Sequence, residues 1–311
     1  MAEQQQQRSG PAAAAAELPA LLQSAPRFVK VAATQMACSW DTEANVKKAE
    51  DLVRAAAADG ANIILLQELF ETPYFCQEQK QEYYRLAQPL EGNLLIQRFA
   101  KLAAELHVVL PISFFERAGN AYFNSLVVAD ADGSIVGHYR KSHIPDGPGY
   151  QEKCYFSPGD TGVKVFKTRY GDIGVLICWD QARQPLVWLV LHCWLPWFPE
   201  AARCAALLGA ELPVVASNRI GTERFENSDI TFYGGSFIAG PTGEIVVQAG
   251  SSGQQPNGGI DPEPAQQEGY VLAGFDLDEC RMNRAGWGMF RDRRPDLYGA
   301  ITTLDGSRNA R

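Results

Sequence analysis

Gly171-Asp-Ile-Gly-Val-Leu-Ile-Cys-Trp-Asp180 is the stretch from which the fold of this chain is read. Ile173, Val175, Leu176 and Ile177 form a short apolar run with β-branched members, bounded upstream by Tyr170-Gly171. Such a run predicts a strand buried on both faces. At its carboxyl end stand a thiol, an indole and a carboxylate: Cys178, Trp179 and Asp180. The carboxyl ends of strands are where open α/β sheets mount their chemistry, so Cys178 is a candidate nucleophile. Most free cysteines are small core hydrophobes. A reactive role needs a charged or base-bearing neighbourhood that other parts of the chain must supply.

Outward from that strand the pattern alternates between strand and helix. Phe28 to Met36 predicts a first strand. Thr42 is expected to cap a helix through about Ala58, with Val46, Ala49, Leu52, Val53 and Ala56 inward and Asn45, Lys48, Asp51 and Asp59 on the polar side. Gly60 ends it. Ala61 to Leu66 predicts a second buried strand closing on Gln67-Glu68, Asn93 to Leu106 a second helix, and His107 to Ile112 a third strand. Ala121–Asp130 and Ser134–Tyr139 read as a hairpin, as do Gly235–Ala239 and Glu244–Gln248. Leu212–Ser217 and Tyr270–Phe275 complete the strands, and Gly250–Gln267 reads as a loop. Parallel β-α-β units mixed with hairpins place the chain in the α/β class with mixed sheets.

Composition narrows the partners. Of 311 residues, 46% are hydrophobic and 21% charged, which gives a globular chain a real core. A net charge of −8 argues against nucleic acid, whose phosphates need clustered positive charge. Seven scattered cysteines without a CxxC pair suggest neither a disulfide framework nor a zinc site, and fit a reducing, cytoplasmic setting. No apolar run reaches the ~18 residues that would span a membrane. Residues 1–26, rich in Gln and Ala, are expected to form a disordered extension, and lack the basic start and apolar core of a secretory signal. Residues 27–300 would then be one domain and 301–311 a tail.

Three polar residues could serve the thiol. Glu68 follows a buried strand, where a carboxylate is either solvated or a base with a raised pKa. Lys141 follows the second strand of a hairpin, and Glu152 lies in the loop Gly149-Tyr-Gln-Glu-Lys153; both are surface charges by default. A cysteine nucleophile needs a base for its proton and a donor for the developing oxyanion. None of the histidines at 107, 138, 143 and 192 is well placed for the task by pattern. A Glu-Lys-Cys set supplies both functions without one.

Leu65-Leu-Gln-Glu68, Tyr139-Arg-Lys141 and Ile177-Cys-Trp-Asp180 resemble, in order and spacing, the motifs of the nitrilase superfamily of carbon–nitrogen hydrolases. Val31–Trp40, Asp146–Phe156, Phe232–Phe237 and Asn283–Gly288 extend the resemblance from about Phe28 to near Ala300. It implies a four-layer α-β-β-α sandwich with mixed sheets that packs against a second subunit in a homo-oligomer. It implies Glu68 as proton acceptor, Lys141 as oxyanion stabiliser and Cys178 as nucleophile. Glu152 would orient substrate and lysine, and the backbone N–H of Trp179 would be a second oxyanion donor. The implied substrate is a small cationic carbamoyl amine, with no cofactor and no metal. Its ammonium calls for a carboxylate in the pocket, for which Asp146 and Glu71 are the candidates nearest the motifs.

Two departures from the family pattern follow the nucleophile. Fifteen extra residues, Ala182 to Pro196, precede the helix text that begins at Trp197, and they include the apolar Leu186–Leu195. After Glu211 the chain jumps to Leu212-Pro-Val-Val, where the family carries a further strand and helix. Both junctions are expected in an alternative splice product or a misread gene model, with the fold disrupted around residues 182–212. In the rival expectation, Leu186 to Leu191 replaces the missing strand.

Overall fold

The computed structural model describes residues 27–180, 190–191, 199–211, 215–250 and 267–306, with the backbone alone for residues 190, 191 and 199. The expected extension at 1–26, the last five residues of the tail, most of the loop after Gly250 and most of the inserted stretch lie outside them.

The chain opens with β1 (Phe28–Met36), α1 (Thr42–Ala58) and β2 (Ile63–Leu65). Asp41, not Thr42, caps α1: its carboxylate accepts from the N–H of Ala44, and Thr42 is the first helical residue. Two good capping types stand side by side here, and the carboxylate is the better partner for the helix N-terminus. Asn45, expected on the polar side, is buried because its amide donates to the carbonyls of Ser39 and Glu71. Next come α2 (Leu94–Leu106), capped by Asn93, and the meander β3 (Leu110–Ala118), β4 (Ala121–Ala129) and β5 (Ile135–Arg140). The third strand therefore starts later and runs further than its sequence suggests. His107 leaves the strand because it closes α2 in a left-handed conformation, φ 55°.

The stretch Gly171–Asp180 is not one strand. β6 (Val165–Thr168) pairs antiparallel with β7 (Gly171–Gly174), and after Val175 the backbone changes partners to form β8 (Leu176–Ile177). β8 pairs in parallel with β9 (Val190–Leu191), which in turn pairs in parallel with β10 (Val215–Arg224). The backbone of Val190–Leu191 thus lies between β8 and β10, within the segment expected to replace the missing strand. α3 (Pro199–Leu207) joins them. The remaining strands are β11 (Asp229–Tyr233), β12 (Phe237–Ala239), β13 (Ile245–Gln248) and β14 (Gly269–Asp276), followed by α4 (Leu277–Gly286).

One sheet runs β13-β12-β10-β1-β14, with β2 on β1 and β11 on β10. β3-β4-β5 forms a second, joined to β2 by the bridge from Ile63 to Val109. α1 and α2 cover one face of β1–β4 through Val46, Val53, Leu95 and Phe99. The opposite faces of β1, β2 and β4, with Tyr139 of β5, meet β6–β8, β10, β12 and β14, with α3 and α4 contributing Ala201, Ala202 and Leu277. The result is an α/β sandwich of mixed sheets. Its importance for function lies at one corner: β1 and β10 pair only at Gln35–Asn218 and Met36–Arg219. There the carboxyl ends of β1 and β2 meet the middle of β10.

Candidate active site

Glu68 stands just past β2, in a turn whose next residue, Leu69, has φ 47°. A leucine held there is strained, and three contacts hold it. The N–H of Leu69 donates to Ser113 Oγ at 3.0 Å, and Arg219 Nη2 donates to the carbonyls of Glu68 at 3.0 Å and Leu69 at 2.5 Å. Gln67 ties the same turn to the end of β1, exchanging hydrogen bonds with Met36 N and O. The Glu68 side chain is thereby turned inward, 12% exposed.

Lys141 follows β5. Along a strand, neighbours face opposite ways. Arg140 turns to Glu116 on β3, donating to both its carboxylate oxygens at 2.9 and 2.6 Å, so Lys141 points to the interior. There it is fully buried, and its ammonium donates to Glu68 Oε1 at 2.9 Å and Glu152 Oε2 at 2.7 Å. Burial alone pulls a lysine pKa down, but the charges of Cys178, Glu152 and Glu68 outweigh it and hold Lys141 well above its usual range. Lys141 is a permanent cation here.

Glu152, read from sequence as a loop charge by default, is also fully buried, and Tyr74 Oη donates to its Oε1 at 2.6 Å. Burial pushes its carboxyl up while the Lys141 ammonium draws it back. Cys178 closes the set. It is 6% exposed and takes φ 47° at the end of β8. Its sulfur and one carboxylate oxygen each from Glu68 and Glu152 lie within 4.8 Å of one another. Three potential metal ligands at that spacing would repel as anions, and the Lys141 ammonium that bonds both carboxylates supplies the compensating charge. Trp179 packs half-buried against the core beside them.

Asp180 is buried and collects donors from both sides of the site. It accepts from Tyr139 Oη at 2.6 Å, Ser142 N at 3.1 Å, His143 N at 2.9 Å and Ile177 N at 3.1 Å, with His143 Nδ1 at 2.8 Å. One carboxylate thus ties the cysteine turn to the chain on either side of Lys141. His143 serves that support, and His138 lies on Glu116; neither is among the residues lining the cleft. The cleft beside Cys178 is narrow, opens partly to solvent and is lined by Gln67, Glu68, Tyr74, Tyr150, Ser217, Asn218, Arg219 and Phe232. Asp146, which is exposed, and Glu71 do not line it.

Sequence reasoning passed over Tyr74, Asn124, Arg219 and Glu223 as site residues. Asn124 Nδ2 donates to Glu68 Oε1 at 2.5 Å, and the Arg219–Glu223 ion pair, 2.8 Å, sits buried beneath the Glu68 turn. The one available signal was polarity inside apolar strands: Asn124-Ser125 interrupts Tyr122–Val128, and Asn218-Arg219 follows Val214–Ser217.

Residues 30–256 match the family model for carbon–nitrogen hydrolases. The chain belongs to that family. Such a hydrolase from Helicobacter pylori has the same fold, with a TM-score of 0.75 and 31% identity over 89% of this chain and 99% of that one. The N-carbamoylputrescine amidase of Solanum lycopersicum is 50% identical, the match covering 90% of this chain and 97% of that protein. The citrullinase of Francisella tularensis is 40% identical over 88% of this chain and 98% of that protein. This hydrolase therefore carries its thiol, two carboxylates and an ammonium on the scaffold of a family that cleaves carbon–nitrogen bonds. No helix among the described residues is long and apolar enough to cross a membrane.

Proposed function

We propose that this hydrolase cleaves the ureido group of N-carbamoylputrescine, releasing putrescine, ammonia and carbon dioxide. The observation that carries the reading is the buried Lys141 ammonium bridging Glu68 and Glu152, with the Cys178 sulfur within 4.8 Å of both carboxylates. The Cys178 sulfur attacks the ureido carbonyl while Glu68 takes the thiol proton. Lys141 and the N–H of Trp179 stabilise the oxyanion; removing one such donor typically costs about 3 kcal/mol. Glu68 then passes its proton to the departing nitrogen, and ammonia leaves a thiocarbamoyl enzyme. Water, deprotonated by the same glutamate, hydrolyses that intermediate to a carbamate, which decomposes to amine and carbon dioxide. Glu152, held by Tyr74, keeps Lys141 in place through both steps.

The amine end of the substrate meets aromatic walls. Tyr150 and Phe232 pack on Tyr74 at 5.8 and 6.0 Å between ring centroids and line the cleft, and ring faces attract an ammonium. The ~50% identity to a carbamoylputrescine amidase supports the same choice. An assay of ammonia release from carbamoyl amines, carbamoyl acids and simple amides tests it. N-carbamoylputrescine is expected to turn over fastest, and faster turnover of citrulline or another carboxylate-ended ureide would replace it.

Three further parts belong to this reading. Trp287, Met289, Phe290, Leu297 and Ile301 are exposed in the segment that follows α4, apolar side chains suited to subunit contact in a homo-oligomer. Cys38, Cys76, Cys154, Cys178, Cys204 and Cys280 are all outside disulfides, which suits the reducing cytoplasm. The chain itself is a variant splice product or a misread gene model, the insertion at 182–196 and the deletion near 211–212 falling before and after α3 in the sequence. Light scattering reads the first, and the genomic exon boundaries read the last: junctions inside continuous exons would overturn it.

A further inference from the structure

Asn124 touches both charged partners of the thiol. It sits in β4, paired to Phe115 on β3, and its side chain is fully buried. Its Nδ2 donates to Glu68 Oε1, and its main-chain carbonyl accepts the N–H of Lys141 at 2.9 Å. Only the amide nitrogen can face a carboxylate, which sets the orientation of the group. Its Oδ1 is left without a partner, the buried side-chain atom in that state among the described residues. A buried acceptor without a donor is costly. On a strand face it shares with the buried apolar Leu126 and Val128, that cost marks a residue retained for its other end.

The two donors to Glu68 land on the same oxygen. Lys141 Nζ and Asn124 Nδ2 both bond Oε1, and Oε2 has no hydrogen-bond partner among the described residues. The carboxylate is therefore held by one oxygen and open at the other. We propose that Asn124 is a positioning residue that pins Glu68 through Oε1 and so reserves Oε2 for the proton of Cys178. This rests on the reading of Glu68 as the base. A neutral amide does what a second cation could not: it fixes the carboxylate with a donor but adds no charge, so the proton still leaves Oε2 for the departing amine. An aspartate in its place would be isosteric and would set a second anion against Glu68. It would bond Oε1 only when protonated, so it predicts a shifted pH profile rather than simple loss.

The test uses the full chain and the variants Asn124→Asp, Asn124→Ala and Asn124→Ser, each checked by circular dichroism. Ammonia release is followed from pH 5 to 9 and counted per reactive Cys178. That number comes from iodoacetamide labelling mapped by peptide mass spectrometry. For Asn124→Ala and Asn124→Ser, kcat falls by about ten- to a hundredfold, the worth of one hydrogen bond to a charged group, with KM nearly unchanged. For Asn124→Asp, the acidic limbs of kcat/KM and of Cys178 alkylation both move to higher pH. The alkylation arm needs no substrate. A parent chain that is alkylated at Cys178 but releases no ammonia would sink the proposed activity while still testing Asn124. Folded variants with unchanged kcat and unchanged limbs overturn the proposal. So does a failure of all three to fold, which would make Asn124 a residue of the core alone.

Discussion

Glu68 and Cys178 both follow short buried strands, β2 and β8, and at each place a bulky residue takes φ 47°: Leu69 in one turn, Cys178 itself in the other. The two turns are held by opposite charges. Beneath Glu68, the buried Arg219 cation donates to main-chain carbonyls, with Glu223 as its counter-ion. Beneath Cys178, the buried Asp180 anion accepts from main-chain N–H groups, with the His143 ring beside it. A carbonyl-rich turn needs a donor, and an amide-rich turn needs an acceptor. Strain at the site is thus stored in the backbone and held by buried ions placed outside the Glu68–Lys141–Cys178 set.

Breaking each clamp separates the two. Arg219→Met leaves Glu223 buried and unpaired, a change worth about 3–5 kcal/mol, so urea denaturation should show the largest loss of stability here. A loss under about 1 kcal/mol would mean that the Glu68 turn holds itself. Asp180→Asn keeps the shape but removes the charge that gathers donors from residues 139, 142, 143 and 177. Stability should fall by about 2–3 kcal/mol, and kcat should drop with it because Cys178 and Lys141 lose their common anchor. Unchanged kcat in a folded Asp180→Asn chain would detach the anchor from the chemistry. Tyr74→Phe removes one donor from Glu152 and leaves both turns intact; a loss of about 1–2 kcal/mol with little change in KM is expected.

The smallest effect lies just beyond the Glu68 turn. Burial raises the Glu71 carboxyl to about 7. Its folded value lies above the unfolded one, so its protonated form is favoured by folding. That contribution is full below about pH 4.5 and is lost as pH rises towards 7. Glu71→Gln should therefore match the parent at pH 4 and exceed its stability by about 1 kcal/mol at pH 8, a modest figure because the side chain keeps some contact with water. Equal stability at both pH values would show that Glu71 is better solvated than its surroundings suggest.

The meeting of Glu68, Lys141 and Cys178 could be anticipated from the sequence because each stands at the end of a recognisable strand. Asn124 and Arg219 could not. They act from inside long strands on a residue 56 and 151 positions away, and nothing local says which face meets the site. The split at Val175 was hidden for a similar reason. β7 and β8 read as one apolar run, and only their different partners, β6 and β9, divide it. Asp41 and Thr42 shared one capping signal, and helix ends are seldom legible to better than a residue.

The central claim is that the Cys178 sulfur, served by Glu68 and Lys141, breaks a carbon–nitrogen bond through a covalent intermediate. Its most direct test is ammonia release from N-carbamoylputrescine by this chain and by Cys178→Ala, with intact-mass analysis of the protein during turnover. The account predicts steady release by the parent, one aminobutylcarbamoyl group on Cys178, and a loss of roughly 10⁴-fold or more in the variant. Comparable rates from both proteins, or a carbamoyl group on any other residue, would contradict it.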